Sequence, residues 1–179
     1  SAAACGDVFD LIARTGRAAP AGRGALLETT TLDVTDGEPA TSHLLAALDA
    51  GLHAITANKG PVACRYAEVA ARAISAHRTF RFEGAVMDGI PIFNLVRETM
   101  PAVTVTGFRG VVNSTTNYLL SAMEAGEDFD AALKRMQDAG VAEADPSLDV
   151  DGWDAAAKAA ALANVMLDAE TTPLQVTRE

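Results

Sequence analysis

The chain has 179 residues, nearly half of them apolar, with 24 acidic against 14 basic side chains and a formal net charge of −10. That length buries a sizeable core, enough for one domain or for one domain and part of another. The acidic balance, with no basic stripe to offset it, argues against a nucleic-acid backbone as partner. No stretch is long and uncharged enough to span a bilayer, and two cysteines, Cys5 and Cys64, are too few for a disulfide framework. Residues 1–5 lack the basic start and apolar core of a secretory signal, so a cytoplasmic protein is the plain expectation.

Residues 16–24, rich in Gly, Ala and Pro, read as a loop. A strand is predicted over 25–31, where threonines follow two leucines, and Asp36-Gly37-Glu38-Pro39 reads as a turn into a helix. That helix covers about 40–50, with Leu44, Leu45 and Leu48 on one face and Gly51 as its stop. A second strand is expected over 53–57 and a second helix over 62–77. Strand–helix–strand–helix is the rhythm of a parallel α/β sheet.

The pattern changes near residue 79. Residues 79–83 alternate like a half-buried strand, 91–100 read as helix, and Ala102–Phe108 alternate in the manner of an antiparallel sheet with one covered face. Helices are predicted over 115–125, 128–139 and 153–168. The expected fold is therefore α/β followed by α+β: a partial Rossmann-like parallel sheet, then a unit with a mainly antiparallel sheet and helices. There is no Gly-x-Gly-x-x-Gly after a strand, and the chain reads as incomplete at both ends.

Four segments carry candidate chemistry. Between Glu143 and Lys158 five carboxylates fall within twelve residues, followed by a lysine. Asp154 and Lys158 stand four apart on a predicted helix and share a face. Asp151 is a natural N-cap with Asp154 in a capping-box-like place, so a capping acid and a surface ion pair would account for the pattern. The alanines flanking Lys158 on both sides point the other way. Small apolar neighbours allow close packing that draws a lysine out of water, and a desolvated lysine can act as acid or base near neutrality.

In Thr56-Ala57-Asn58-Lys59-Gly60-Pro61 a lysine falls at a strand's carboxyl end, where open α/β sheets bind ligands; an exposed turn lysine fits equally well. Glu83–Pro91 is a glycine-punctuated turn that could offer carbonyls and one carboxylate to a small cation, or could be a tight turn with a capping acid. Asn113-Ser114-Thr115-Thr116 at a strand-to-helix junction suits helix capping, with anion binding as the alternative.

In order and spacing, residues 56–61, 83–91, 110–118 and 142–158 together resemble homoserine dehydrogenase, over roughly Leu27 to the C-terminus. The last motif is the long, specific one; Ser114 stands where many members have glycine. The resemblance implies an oxidoreductase that interconverts L-homoserine and L-aspartate 4-semialdehyde with NADP or NAD in threonine and methionine biosynthesis, acting as a homodimer joined through a sheet near 79–112. It implies Lys158 as the acid/base lysine, and Lys59 as the lysine between nicotinamide and substrate. Glu143 and Asp154 become the substrate-binding carboxylates, and Gly140 and Thr30 neighbours of the cofactor. Glu83, Val86, Asp88 and Ile90 become a Na or K site in which only Glu83 gives a side chain. Residues 1–61 would form the partial nucleotide-binding domain and 62–179 the substrate-binding, catalytic and dimerisation domain. Two alternatives stand beside this: an assembly module of the family without activity, and a related dehydrogenase of another amino-acid-derived alcohol.

Overall fold

The computed structural model describes residues 6–20, 22–143 and 145–178. Three short strands, β1 (Ala25–Glu28), β2 (His53–Thr56) and β3 (Phe80–Arg81), form one parallel sheet in the order β1-β2-β3, with Ala25 opposite His53 and Ala54 opposite Phe80. Helices α1 (Val8–Ala18), α2 (Ala40–Asp49) and α3 (Lys59–Ser75) accompany it. Parallel neighbours need crossover connections, and α2 and α3 supply them. Leu44 and Leu48 of α2, Ala54 of β2, and Val69 and Ala73 of α3 close into one buried cluster.

Helix α1 differs from expectation, since it runs on through residues 16–18, which read as loop in the sequence. Asp7 caps it by accepting the Asp10 N–H at 2.8 Å, and Ile12 packs with Ala47 of α2 and Leu52. The strands also end earlier than predicted: β1 stops at Glu28, and Thr30 hydrogen-bonds to the Glu28 side chain rather than to a neighbouring strand.

The second half is helical. Short α4 (Gly84–Met87) and α5 (Ile92–Asn94), the latter running into a π-helical turn over Leu95–Thr99, precede α6 (Ser114–Glu124), α7 (Phe129–Asp138), α8 (Ser147–Val150) and α9 (Trp153–Leu167). The antiparallel sheet expected near 79–112 is not formed among the described residues. Phe80–Arg81 pairs in parallel with β2, and residues 103–113 run without a strand partner. Among the described residues part of their apolar alternation is left uncovered: Val103 is 57% and Val111 67% exposed. Beside β3 lies an open groove of about 700 Å³ whose walls include Phe80, Phe82, Phe93, Val103, Val105 and Met166.

What joins the two halves is α3 against α9. Ala157, Ala160 and Ala161 of α9 are fully buried with Val62 and Ala63 of α3, and Phe82, Ala85, Val86, Phe93 and Leu162 complete the cluster. Alanine on the facing surface lets the helix axes approach closely. The backbone of α3 departs from helical geometry at Arg65 (φ −139°, ψ 24°). The buried Asn164 of α9 bonds to the turn before it: its Nδ2 reaches Val62 O at 3.2 Å and Ala63 O at 3.1 Å, and also Thr171 O at 3.0 Å, while its Oδ1 accepts the Thr171 N–H at 2.8 Å. Among the described residues, no helix is long and apolar enough to cross a membrane.

Candidate active site

The close packing of α3 on α9 brings their first turns together. Lys59 opens α3 directly after β2, with Asn58 as its cap: Asn58 Oδ1 accepts the Gly60 N–H at 2.9 Å. Asp154 lies in the first turn of α9 and is 9% exposed. Its two carboxylate oxygens are divided. Oδ1 lies 3.2 Å from Lys59 Nζ; Oδ2 lies 2.8 Å from Lys158 Nζ and accepts Asn113 Nδ2 at 2.9 Å. Lys158 also donates to the carbonyl of Val112 at 2.7 Å. The side chains of Lys59 and Lys158 retain only 22% and 17% of their exposure, so this is no surface pair. Burial works against the charge on Asp154. Hydrogen bonds from Lys158 and Asn113, with the positive charges of Lys59 and Lys158, outweigh it and hold the carboxyl below the usual carboxylate range.

The alanine flanks of Lys158 therefore do what their size allows, and the capping alternative for Asp154 is not what forms. The N-cap of α9 is Gly152, in the left-handed region at φ 74°, and no side chain caps it. The short α8 turn uses residues 147–150, so Asp151 ends that turn instead of starting α9. Arg178 holds this corner: its Nη1 donates to Asp151 O at 2.7 Å, and its guanidinium lies 3.4 Å from the ring centre of Trp153.

The other candidate residues have partners of their own. Glu143 is exposed, and its carbonyl accepts from Gln137 Nε2 at 3.1 Å. Gly140, at φ 69°, ends α7 in the left-handed turn that glycine permits. Thr30 sits just past β1, where its N–H and hydroxyl both donate to Glu28 Oε1, at 2.5 and 2.6 Å. Glu83 accepts the N–H of Phe93 at 2.9 Å and of Asn94 at 3.1 Å, the capping role that its turn allowed. Val86 is buried in α4, Asp88 adopts φ 51°, and the Ile90 carbonyl accepts the Ile92 N–H at 2.8 Å. Among the described residues, no group of three or more His, Cys, Asp or Glu side chains is placed to hold a metal ion.

Two features of the site escape sequence spacing. One is the buried carboxylate of Glu28 at the carboxyl edge of the sheet. It accepts from Thr56 Oγ1 at 2.5 Å, and Thr56 Oγ1 in turn accepts the Asn58 N–H at 2.9 Å. Asn58 Nδ2 then donates to the carbonyls of Thr30 and Thr31. This network fixes the loop that delivers Lys59. The other is Asn113, whose capping was expected but whose bonds to Asp149 and Asp154 were not. Its place before α6 signals the cap, and nothing local signals the bonds to the two aspartates.

Together these features define an α/β protein, a small parallel sheet with many helices, that carries a lysine–carboxylate–lysine site near the carboxyl edge of its sheet. The profile of the homoserine dehydrogenase family matches residues 91–179. An NAD(+)-dependent homoserine dehydrogenase of Pseudomonas canavaninivorans is 43% identical over 151 residues, which is 84% of this chain and 43% of that protein. A homoserine dehydrogenase crystal structure from Thermoplasma acidophilum superposes with a TM-score of 0.72 at 30% identity, over 87% of this chain and 49% of the other. A hyperthermophilic archaeal homoserine dehydrogenase in complex with NADPH gives 0.68 at 34% identity, over 75% and 42%. This chain belongs to the homoserine dehydrogenase family. It spans less than half the length of these three relatives.

Proposed function

We propose that this chain carries the substrate-binding and proton-transfer machinery of a homoserine dehydrogenase, an oxidoreductase that interconverts L-homoserine and L-aspartate 4-semialdehyde with NAD or NADP in threonine and methionine biosynthesis. The observation that carries the proposal is the Lys59–Asp154–Lys158 cluster, in which two part-buried ammonium groups share one buried carboxylate. Relatives described as NAD(+)-dependent or bound to NADPH support the choice of cofactor.

A carboxylate has about four acceptor positions. Three on Asp154 are taken, which leaves one on Oδ1 for a donor on the substrate. Lys158 has two of its three protons engaged, with Asp154 and Val112, and the third is free to meet the substrate oxygen. As the aldehyde is reduced, negative charge grows on that oxygen; Lys158 stabilises it and delivers the proton. Glu143 joins Asp154 as a partner for the substrate's ammonium. Lys59 stands between the substrate and the carboxyl edge of β1 and β2, where a parallel α/β sheet takes a dinucleotide. Thr30 and Gly140 are its further neighbours. The chemistry that a bound dinucleotide would supply there is hydride exchange at the substrate carbon.

The finer organisation is proposed on the same basis. Residues 1–61 form the nucleotide-binding part and 62–179 the catalytic and dimerisation part, with α3 shared between them. A second copy covers the groove beside β3 and completes an antiparallel sheet with residues 102–108, which gives the exposed Val103 and Phe108 a partner. Glu83, with the carbonyls of Val86, Asp88 and Ile90, holds Na or K. The test is NADH or NADPH formation from L-homoserine by the full-length gene product. No homoserine-dependent turnover with either nucleotide would overturn the proposal.

A further inference from the structure

Asn113 is 7% exposed, and the two ends of its carboxamide serve different elements. Its Oδ1 caps α6 by accepting the Thr116 N–H at 2.8 Å and the Thr116 hydroxyl at 3.1 Å. Its Nδ2 donates to Asp149 Oδ1 at 2.6 Å and to Asp154 Oδ2 at 2.9 Å. Capping uses only the oxygen, and Ser or Asp caps about as well as Asn. The amide protons are therefore surplus to the cap and belong to the two carboxylates. Without them, Asp149 and Asp154 would meet as like charges with no donor between them. The adjacent residue adds the complementary contact, since the Val112 carbonyl accepts from Lys158 Nζ. Residues 112 and 113 thus hold both halves of the Asp154–Lys158 pair, the carbonyl gripping the ammonium and the amide gripping the carboxylate.

We infer that Asn113 is a positioning residue for the reaction proposed above, locking the Asp154 carboxylate so that Oδ2 stays on Lys158 while Oδ1 faces Lys59 and the substrate. It acts through Asp154 and does not touch the reacting atoms. The inference rests on the proposed function for its catalytic meaning, but its hold on Asp154 is separately measurable. The charged and titratable groups facing Asp154 are Lys158 on its own helix, Lys59 of α3 and, through Asn113, Asp149 of α8.

Two substitutions separate the cap from the grip. Asn113→Ser keeps a capping oxygen and removes the amide; Asn113→Asp keeps the cap and sets a third carboxylate against Asp149 and Asp154. Both are expected to retain the circular dichroism of the wild type. The Asp154 carboxyl carbon, followed by NMR in this chain, is expected to titrate at higher pH in Asn113→Ser and higher still in Asn113→Asp. In the full-length enzyme, kcat for L-homoserine is expected to fall roughly tenfold or more. The wild type supplies a measurement free of any folding risk: the Asn113 side-chain NH₂ resonances are expected to move with the Asp154 titration. An Asp154 titration unchanged in Asn113→Ser, or NH₂ resonances indifferent to Asp154, overturns the inference whatever the activity. A wild type without homoserine-dependent turnover overturns the proposed function instead.

Discussion

The Nζ of Lys59 lies 3.2 Å from Oδ1 of Asp154, so the first turns of α3 and α9 are tied by charge as well as by packing. A lysine in the first turn of a helix meets the positive end of the helix dipole, an unfavourable placement worth about 0.3–1 kcal/mol, whereas a carboxylate in that place is favoured. Asp154 satisfies its own helix and compensates the misplaced charge on the other. Such a placement is poor for stability alone, and that fits a site in which Lys59 serves chemistry.

Asp154→Asn keeps the shape and removes the charge. Lys59 and Lys158 then face each other part-buried without a counter-ion, and the variant is expected to lose about 2–3 kcal/mol of stability together with homoserine turnover. Urea unfolding and an activity assay check this; a variant as stable and as active as the wild type would contradict it.

The same carboxylate sets a pH dependence. The folded Asp154 carboxyl lies below its ordinary value of 3.8, so its contribution is present in full above that value and is lost as the pH falls through the depressed one. The stability advantage of wild type over Asp154→Asn is expected to stay constant from neutrality to about pH 4 and to shrink below that. An advantage that already fades near pH 6 would point to a different titrating group.

Cys64 is predicted to be inert. Its Sγ rests 3.7 Å from the Val34 carbonyl, and burial, reinforced by Asp33 and Asp36, pushes the thiol up to about 11. Near pH 8 it should carry roughly a hundredfold less thiolate than an ordinary cysteine. Alkylation of a Cys5→Ser variant is expected to be slower than that of a free thiol by roughly tenfold or more, since the greater nucleophilicity of a high-pKa thiolate offsets part of its scarcity; a matching rate would contradict it.

Asn164 carries the joint between the halves. Asn164→Ala strips donors from the Val62, Ala63 and Thr171 carbonyls and an acceptor from the Thr171 N–H in a buried place. A loss of about 2–4 kcal/mol is expected in urea unfolding. A loss below about 0.5 kcal/mol would mean that the bonds are replaced by water.

How legible all this was in the sequence depended on the range of each interaction. The alternation of β1, α2, β2 and α3 could be read because each element's apolar period is local, and the same holds for the Asp154–Lys158 spacing on α9. Helix α1 was missed because its Gly16 and Arg17 resemble the loop that follows. Lys59 and Asp154 were both singled out, but nothing local says that one carboxylate serves both lysines; that depends on how closely alanines let α3 and α9 approach. The cap made by Asn113 was legible from its place before α6, whereas its grip on Asp154 needs α8 and α9 in position. The alternation over 102–108 predicted a covered sheet face, and among the described residues no strand pairs with that segment.

The most direct measurement compares L-homoserine-dependent reduction of NAD or NADP by the full-length wild type and by Lys158→Ala, with circular dichroism as the control for folding. The wild type is expected to turn over, and the variant to fall by at least about a hundredfold with its fold intact. A folded Lys158→Ala enzyme that keeps substantial turnover would show that the cluster around Asp154 is not where the proton is transferred.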